Sequence, residues 1–360
     1  MKKTKFNSVH KKLNAKLVDF VGYEMPIQYS SIINEHKAVR NSVGVFDVSH
    51  MGQVFVSGEK ALDFVQYITT NDASKLTSGK VQYSAMCYEN GGIVDDLLVY
   101  RVDENNFMLV INASNIDKDF EWMVKNNKFG VELRNESDDY SLLAIQGPNS
   151  KNTLQKICNK EIDLEYYTFF TAEIAGVEMI VSRTGYTGEL GYEIYFKGDE
   201  ETAEKIWNEV FEAGKEYDIQ PVGLGARDSL RLEMGYCLYG NDIDQTTNPL
   251  EAGLGWITKL KKGEFLGSAD IIKAKEAGLK RKLVALTTDE KAFPRKGYEL
   301  SVNGEIVGIV TSGTVSPILE KAIALGYVQS DLAVEGNTIN FLIRGKEISA
   351  QIVKLPFVKK

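Results

Sequence analysis

Two adjacent carboxylates inside an otherwise apolar run are the residues of this sequence best suited to chemistry. Asp95 and Asp96 lie in Ile93-Val94-Asp95-Asp96-Leu97-Leu98-Val99-Tyr100. Side chains alternate across an extended chain, so Val94, Asp96, Leu98 and Tyr100 share one face and Ile93, Asp95, Leu97 and Val99 the other. At least one carboxylate therefore sits among large apolar groups, where an ionised acid is costly unless it is paired or used. The same pattern fits acids that cap a turn or line a sheet edge, since Gly91-Gly92 is close by. Of the two, Asp96 is the better candidate for function, because Tyr100 shares its face.

Residues 182–193, Ser-Arg-Thr-Gly-Tyr-Thr-Gly-Glu-Leu-Gly-Tyr-Glu, place Gly185, Gly188 and Gly191 at three-residue spacing with Tyr186 and Tyr192 between them. Glycines at this spacing permit close backbone approach to a ligand, and tyrosines offer flat stacking surfaces. A glycine-rich hairpin with surface tyrosines reads equally from the same letters. Glu193 opens a mostly apolar strand. Arg227 and Arg231 fall four residues apart on a helix beginning near Gly223, with Asp228 and Glu233 available as partners for them. Asp47-Val48-Ser49-His50-Met51-Gly52 is ambiguous in the same way, since a lone His50 fits a packing role as well as a chemical one.

Other chemistries lack their residues. His10, His36 and His50 show no metal-ligand spacing among themselves or with the cysteines. No phosphate-binding G-x-x-x-x-G-K-[ST] occurs, Gly223-Leu224-Gly225 lacks the third glycine of a dinucleotide fingerprint, and there is no G-x-S-x-G elbow.

The elements that must position these residues are mixed α and β. Ile32, His36, Val39 and Val43 share a helical face, with Gly44 as its stop, and residues 45–56 read as one extended segment. A helix spans about 59–68, strands meander over 81–111 with turns at 89–92 and 103–106, and Ile116, Phe120, Met123 and Val124 mark another helix. Ala175-Gly176 marks a hairpin, and Ile206, Trp207, Val210 and Phe211 mark a long helix. Six short strand-like runs after residue 280 read as a separate all-β domain of barrel or jelly-roll type, joined through residues 273–282. The length of 360 residues favours two or three domains. A hydrophobic fraction of 43% is enough for a sizeable core.

The net charge of −8 argues against nucleic acid as the main partner. Lys259, Lys261 and Lys262 form one local basic patch. Cys87, Cys158 and Cys237 are few and scattered, as expected of a reducing, cytoplasmic compartment, and no apolar run is long enough to span a membrane.

Taken together, residues 46–52 (FDVSHMG), 83–100 (YSAMCYENGGIVDDLLVY), 183–193 (RTGYTGELGYE), 223–235 (GLGARDSLRLEMG) and the Ser312-Gly313-Thr314 to Ser316-Pro317 stretch resemble the aminomethyltransferase (T-protein) family of the glycine cleavage system. The similarity runs in order over nearly the whole chain. It implies an α+β fold, a three-domain cloverleaf in which two interleaved α+β domains fill residues 1–272 and a C-terminal β-barrel fills 280–360. It implies transfer of a methylene unit from the aminomethyl-lipoyl arm of a carrier, the H-protein, to tetrahydrofolate, with release of ammonia and without a metal. Asp96 matches the family's catalytic aspartate. Met51, Tyr83, Tyr100, Asn112, Tyr186, Glu193 and Arg227 match folate-pocket positions, with Arg183 a weaker candidate, and the lysine patch becomes a candidate docking surface for the carrier. Within the same superfamily, an iron-sulfur maintenance branch is disfavoured by residues 234–242. A folate-dependent demethylase and a non-catalytic folate-binding protein are the remaining alternatives.

Overall fold

The computed structural model describes residues 1–359. The chain forms two compact units, each assembled from separated stretches. The first comprises residues 1–64, 74–82 and 98–228, and the second residues 65–73, 83–97 and those from 229 onward.

Helix α1 (Asn7–Lys12) leads into the hairpin β1 (Lys16–Phe20) and β2 (Tyr23–Gln28), and then helix α2 (Ile32–Asn41). The hydroxyl of Ser31 accepts a hydrogen bond from Asn34 N at 3.2 Å and so caps the start of α2. Strands β3 (Gly44–Asp47) and β4 (Gly52–Ser57), helix α3 (Ala61–Ile68) and the meander β5 (Lys80–Cys87), β6 (Ile93–Arg101) and β7 (Asn106–Ile111) follow. After them come α4 (Ile116–Lys125), β8 (Glu132–Asn135), β9 (Tyr140–Gln146), α5 (Ser150–Gln155), β10 (Phe169–Ile174), β11 (Val177–Ser182) and β12 (Gly191–Lys197). Helix α6 (Glu200–Gly214), strand β13 (Gln220–Pro221) and helix α7 (Leu224–Glu233) complete this part. The turn between β10 and β11 carries Ala175 and Gly176 at φ 50° and 77°, the left-handed pair that a two-residue hairpin needs.

A six-stranded sheet in the order β10-β11-β12-β9-β3-β13 belongs to the first unit, and a core of Val45, Leu143, Ile145, Val181, Ile194 and Trp207 packs with it. The second sheet runs β5-β6-β7-β4-β8. Strands β5 and β6 pass from one unit to the other along their length, at Gln82/Tyr83 and Leu97/Leu98. Residues 45–56 are therefore not one extended segment. Strand β3 pairs with β9 and β13, whereas β4 pairs with β7 and β8, so residues 48–51 form the turn that carries the chain from one sheet to the next. In α4, Val124 departs from the buried face expected of it and is 53% exposed.

Helix α8 (Ser268–Ala277) occupies much of the segment read as a joint and stops at Gly278, whose φ of 83° suits only glycine well. Beyond it, strands β14 (Arg281–Thr288), β15 (Glu299–Val302), β16 (Glu305–Val315), β17 (Ala322–Gln329), β18 (Thr338–Ile343) and β19 (Lys346–Val353) close into a barrel in the order β14-β17-β16-β15-β18-β19. Leu286, Leu300, Val310 and Phe341 fill it. The Asn303-Gly304 and Arg344-Gly345 turns have both residues at positive φ, as their sequences foretold. A mixed fold of several sheets with a closed C-terminal barrel is thus present. No described helix is long and apolar enough to cross a membrane.

Lys262 corrects the reading of the basic patch. Its ammonium donates to the carbonyl oxygens of Gln66, Thr69 and Asn71 at 2.7, 2.5 and 2.7 Å and lies 5.0 Å from the Phe265 ring centroid. It closes the C-terminal end of α3 by donating to carbonyls that the helix leaves without partners. Lys259 and Lys261 remain exposed. Burial pulls the Lys262 amine down to about 7, against the opposing pull of Asp72. The folded chain therefore gives up this proton near pH 7, while the unfolded chain holds it to about pH 10, so stability gained at this site rises with pH across that window. Lys262→Met is expected to destabilise the protein by about 2–3 kcal/mol, because three buried carbonyls lose their donor. The loss should be larger toward pH 10 than at pH 7. Urea unfolding of both proteins at the two pH values checks it, and equal stability throughout would reject the capping role.

Candidate active site

Strand β6 sorts the two aspartates. Asp95 is fully buried, whereas Asp96 remains partly accessible. Alternation alone produces this split, since adjacent side chains point to opposite faces. In the second unit Tyr83, on the neighbouring strand β5, donates its hydroxyl to Asp96 Oδ2 at 2.8 Å and so fixes the carboxylate's rotamer. The Tyr83 ring lies 5.8 Å from that of Trp256, which is 59% exposed. Cys237 is buried nearby. Burial, together with the charges of Asp242 and Asp96, pushes its thiol well above the usual range and leaves it inert.

In the first unit the structure brings together Tyr100, Tyr186, Glu193 and Arg227. Glu193 stands on β12, in register with Ser182 of β11. Its Oε2 accepts from the hydroxyls of Thr184 and Tyr195, the latter at 3.2 Å. Desolvation raises the Glu193 carboxyl above its usual range, opposed by the Thr184 hydrogen bond, the Arg227 charge and the Tyr195 hydroxyl. Arg227, one turn into α7, holds its guanidinium 4.5 Å from the Tyr186 ring centroid, a cation–π arrangement. This cluster presents one carboxylate, one forked cation and one aromatic face. It is equipped to accept hydrogen bonds from adjacent N–H groups of a flat heterocycle and to donate to its oxygen.

Tyr100 is fully buried. Its hydroxyl lies 3.1 Å from Ser182 Oγ, 3.2 Å from Thr184 Oγ1 and 3.0 Å from the Tyr195 hydroxyl. It thereby supports Thr184 and Tyr195, the two hydroxyls that donate to Glu193. Met51 and Asn112 flank the same end of paired strands, because Gly52 of β4 lies opposite Ile111 of β7. Both are partly accessible. His50 is 1% exposed and packs edge-on against Phe20 at 5.3 Å. Burial and the Arg227 charge push its imidazole down to about 4, so it is neutral at physiological pH. Arg183, the weaker candidate, donates to the Leu164 carbonyl at 2.7 Å.

The glycine spacing of residues 185–191 has a different cause from the one its sequence suggested. A Cβ at Gly185 or Gly191 would fall 2.1 or 2.3 Å from the Gln146 side chain. Gln146 is fully buried, donates to the Thr184 carbonyl at 3.2 Å, and accepts from the Thr187 hydroxyl at 2.8 Å. Arg40, in the last turn of α2, holds the same loop through the Thr187 carbonyl at 2.6 Å and Glu189 at 2.9 Å. At these two positions the glycines admit a protein side chain, not a ligand. Sequence reasoning missed Gln146, Thr184 and Tyr195. Only Tyr195 left a signal, since it lies two residues from Glu193 and shares its face.

Arg231 parts company with Arg227. In the second unit it pairs with Asp242 at 2.6 Å and donates to Ser312 Oγ and the Tyr236 carbonyl, both at 2.8 Å. Glu233 accepts from the Ser316 hydroxyl at 2.5 Å, and Asp242 from Thr311 at 2.6 Å. The serine and threonine residues around positions 312–316 are thus a seam tying the end of α7 and residues 236–242 to strand β16. Among the described residues no cluster of histidine, cysteine and acidic groups is arranged to hold a metal ion.

Comparison with known proteins agrees over the whole length. Residues 6–262 match the GCVT N-terminal domain, and residues 281–359 match the glycine cleavage T-protein C-terminal barrel domain. The chain is 53% identical to an aminomethyltransferase of Flavobacterium psychrophilum, with each chain covered in full. It is 51% identical to one of Halothermothrix orenii, over 99% of this chain and 100% of the relative. The crystal structure of glycine cleavage system aminomethyltransferase T from Bartonella henselae superposes with a TM-score of 0.93 at 35% identity, covering 99% of this chain and 98% of that one. With both domain models matched, and with relatives of this identity aligned end to end, the chain belongs to the aminomethyltransferase (T-protein) family of the glycine cleavage system.

Proposed function

We propose that this chain is the aminomethyltransferase of a glycine cleavage system, taking its substrate from a lipoylated H-protein and passing the one-carbon unit to tetrahydrofolate. The substrate carries an aminomethyl group as a thioether on the dihydrolipoyl arm. The carbon–sulfur and carbon–nitrogen bonds of that group break, and the methylene becomes bonded to N5 and N10 of the folate. Ammonia leaves and the sulfur departs as the thiol of the dihydrolipoyl carrier. Positive charge develops on the nitrogen–carbon unit as these bonds exchange, and a fixed carboxylate in a water-poor setting stabilises it better than solvent does.

The observation that carries this reading is Asp96, a partly accessible carboxylate on a mostly apolar strand, oriented by Tyr83. Glu193 accepts the neighbouring N–H and amino hydrogens of the pterin, Arg227 donates to its oxygen, and Tyr186, Met51 and Asn112 complete the pocket. Residues 1–272 form the folate-handling region and 280–360 the barrel. The free thiols of Cys87, Cys158 and Cys237 fit a reducing cytoplasm.

The test is ammonia release from an aminomethyl-lipoylated carrier, with and without tetrahydrofolate. Release that needs folate supports the assignment. No release from the carrier, with turnover of a free methyl donor in its place, would make the protein a demethylase. Glu193→Gln is expected to weaken tetrahydrofolate binding about tenfold, the scale of one hydrogen bond to a charged acceptor. Since burial raises the Glu193 carboxyl, native affinity should begin to fall on acidification at a higher pH than an ordinary carboxyl would give, and the substitution should abolish that dependence. A fluorescence titration across pH reads both. Unchanged affinity and an unchanged acid limb would remove Glu193 from the pocket.

A further inference from the structure

Glu35 is 1% exposed on the first turn of α2, yet its carboxylate serves other segments. Oε1 accepts the backbone N–H groups of Tyr29 and Ser30 at 2.7 and 2.8 Å. Oε2 accepts the N–H of Gly223 at 2.9 Å. Gly223 is the residue immediately before α7, and its carbonyl receives the N–H of Arg227 at 3.2 Å. One buried carboxylate thus joins the chain entering α2 to the start of the helix that carries Arg227. Negative charge there also complements the positive end of the helix dipole.

The same turn is held from other sides. Val222 N donates to the Val45 carbonyl at 2.9 Å. A Cβ on Gly223 would lie 2.4 Å from the Ile27 carbonyl oxygen, and one on Gly225 would lie 2.6 Å from Ile32 Cδ1. The first turn of α7 therefore sits against backbone and cannot slide toward β2 or α2, while Glu35 stops it from moving away.

We propose that Glu35 is a positioning residue for Arg227, setting the seat of the first turn of α7 and through it the aim of the guanidinium at Tyr186 and Glu193. This rests on Arg227 being a folate ligand, as argued above. The mechanism follows from the donor count. Glutamine has the same shape but only one acceptor atom, and its amide presents N–H groups. If the Glu35→Gln oxygen keeps Tyr29 and Ser30, the amide nitrogen faces the Gly223 N–H donor to donor, and α7 must shift. Displacements well under an ångström suffice to spoil a forked guanidinium contact.

The experiment is a double-mutant cycle on tetrahydrofolate affinity with the full chain, using Glu35→Gln, Arg227→Met and the pair. Glu35→Gln is expected to raise Kd about tenfold in the native background and to have no further effect once Arg227 is methionine, while kcat at saturating folate changes less than about threefold. A merely structural role would lower the melting temperature and leave Kd alone, or weaken binding equally in both backgrounds, and either result overturns the proposal. If Arg227→Met itself leaves Kd unchanged, it is the folate role of Arg227 that fails. Gly225→Ala, whose Cβ would lie 2.6 Å from Ile32 Cδ1 and 3.1 Å from the Ile27 carbonyl oxygen, displaces the same turn without removing a hydrogen bond. It should show the same coupling to Arg227 should Glu35→Gln not fold, and its absence would count equally against the proposal.

Discussion

Asp96→Asn is expected to lower folate-dependent ammonia release by about 10²-fold or more, the usual scale for removing a group that stabilises transition-state charge or moves a proton. Asparagine keeps the shape of the side chain and can still accept the Tyr83 hydroxyl, so the strand and its neighbour should stay in place. What disappears is the negative charge. Tetrahydrofolate affinity, assigned to Glu193 and Arg227, should change by less than about threefold, because charge that acts only as bonds exchange contributes little to ground-state binding. Single-turnover ammonia release alongside a folate titration separates the two. A variant that turns over at near-native rate would defeat the assignment of Asp96. One that loses folate binding in proportion to rate would make Asp96 a ligand rather than the group that acts on the reacting carbon and nitrogen.

Much of this architecture was legible where local rules decide structure. The strands of the last domain were legible because Asn303-Gly304 and Arg344-Gly345 are turn signals between apolar runs, while their closure into a barrel rather than a jelly roll is decided by pairing that the structure supplies. The split between a buried Asp95 and a partly accessible Asp96 was legible because alternation along a strand is local. The segment 45–56 misled for the same reason. Its residues are extended on both sides of a turn, and nothing in the letters reveals that β3 and β4 belong to different sheets.

The supports of the candidate site were less visible, because each depends on a partner far along the chain. Gln146 explains Gly185 and Gly191 from about forty residues away, and Asp242, a residue outside α7, is a carboxylate paired with Arg231. Lys262 looked like surface charge beside Lys259 and Lys261 until the carbonyl groups closing α3 were placed around it. Composition identifies a cation. Only the fold says whether water or a helix end surrounds it.

Arg231→Met should be the most damaging of these substitutions to the folded state, at about 3–5 kcal/mol, because it leaves the Asp242 carboxylate buried without its counter-charge. Both side chains of the pair are at most 1% exposed, so water cannot take over. The remaining donors to Asp242, Leu238 N at 2.9 Å and Thr311 Oγ1 at 2.6 Å, are neutral and offset only part of the loss. Ser312 and the Tyr236 carbonyl lose their partner at the same time. The natural control is Arg231→Met with Asp242→Leu, since a buried pair replaced on both sides by apolar groups is often tolerated. The double variant should recover stability relative to Arg231→Met alone, by urea midpoint and melting temperature. Failure to recover would mean that the hydrogen bonds to Ser312, Thr311 and Leu238 hold the seam, rather than the charge pair. An Arg231→Met protein of native stability would show that the ion pair contributes nothing to joining α7 to the barrel.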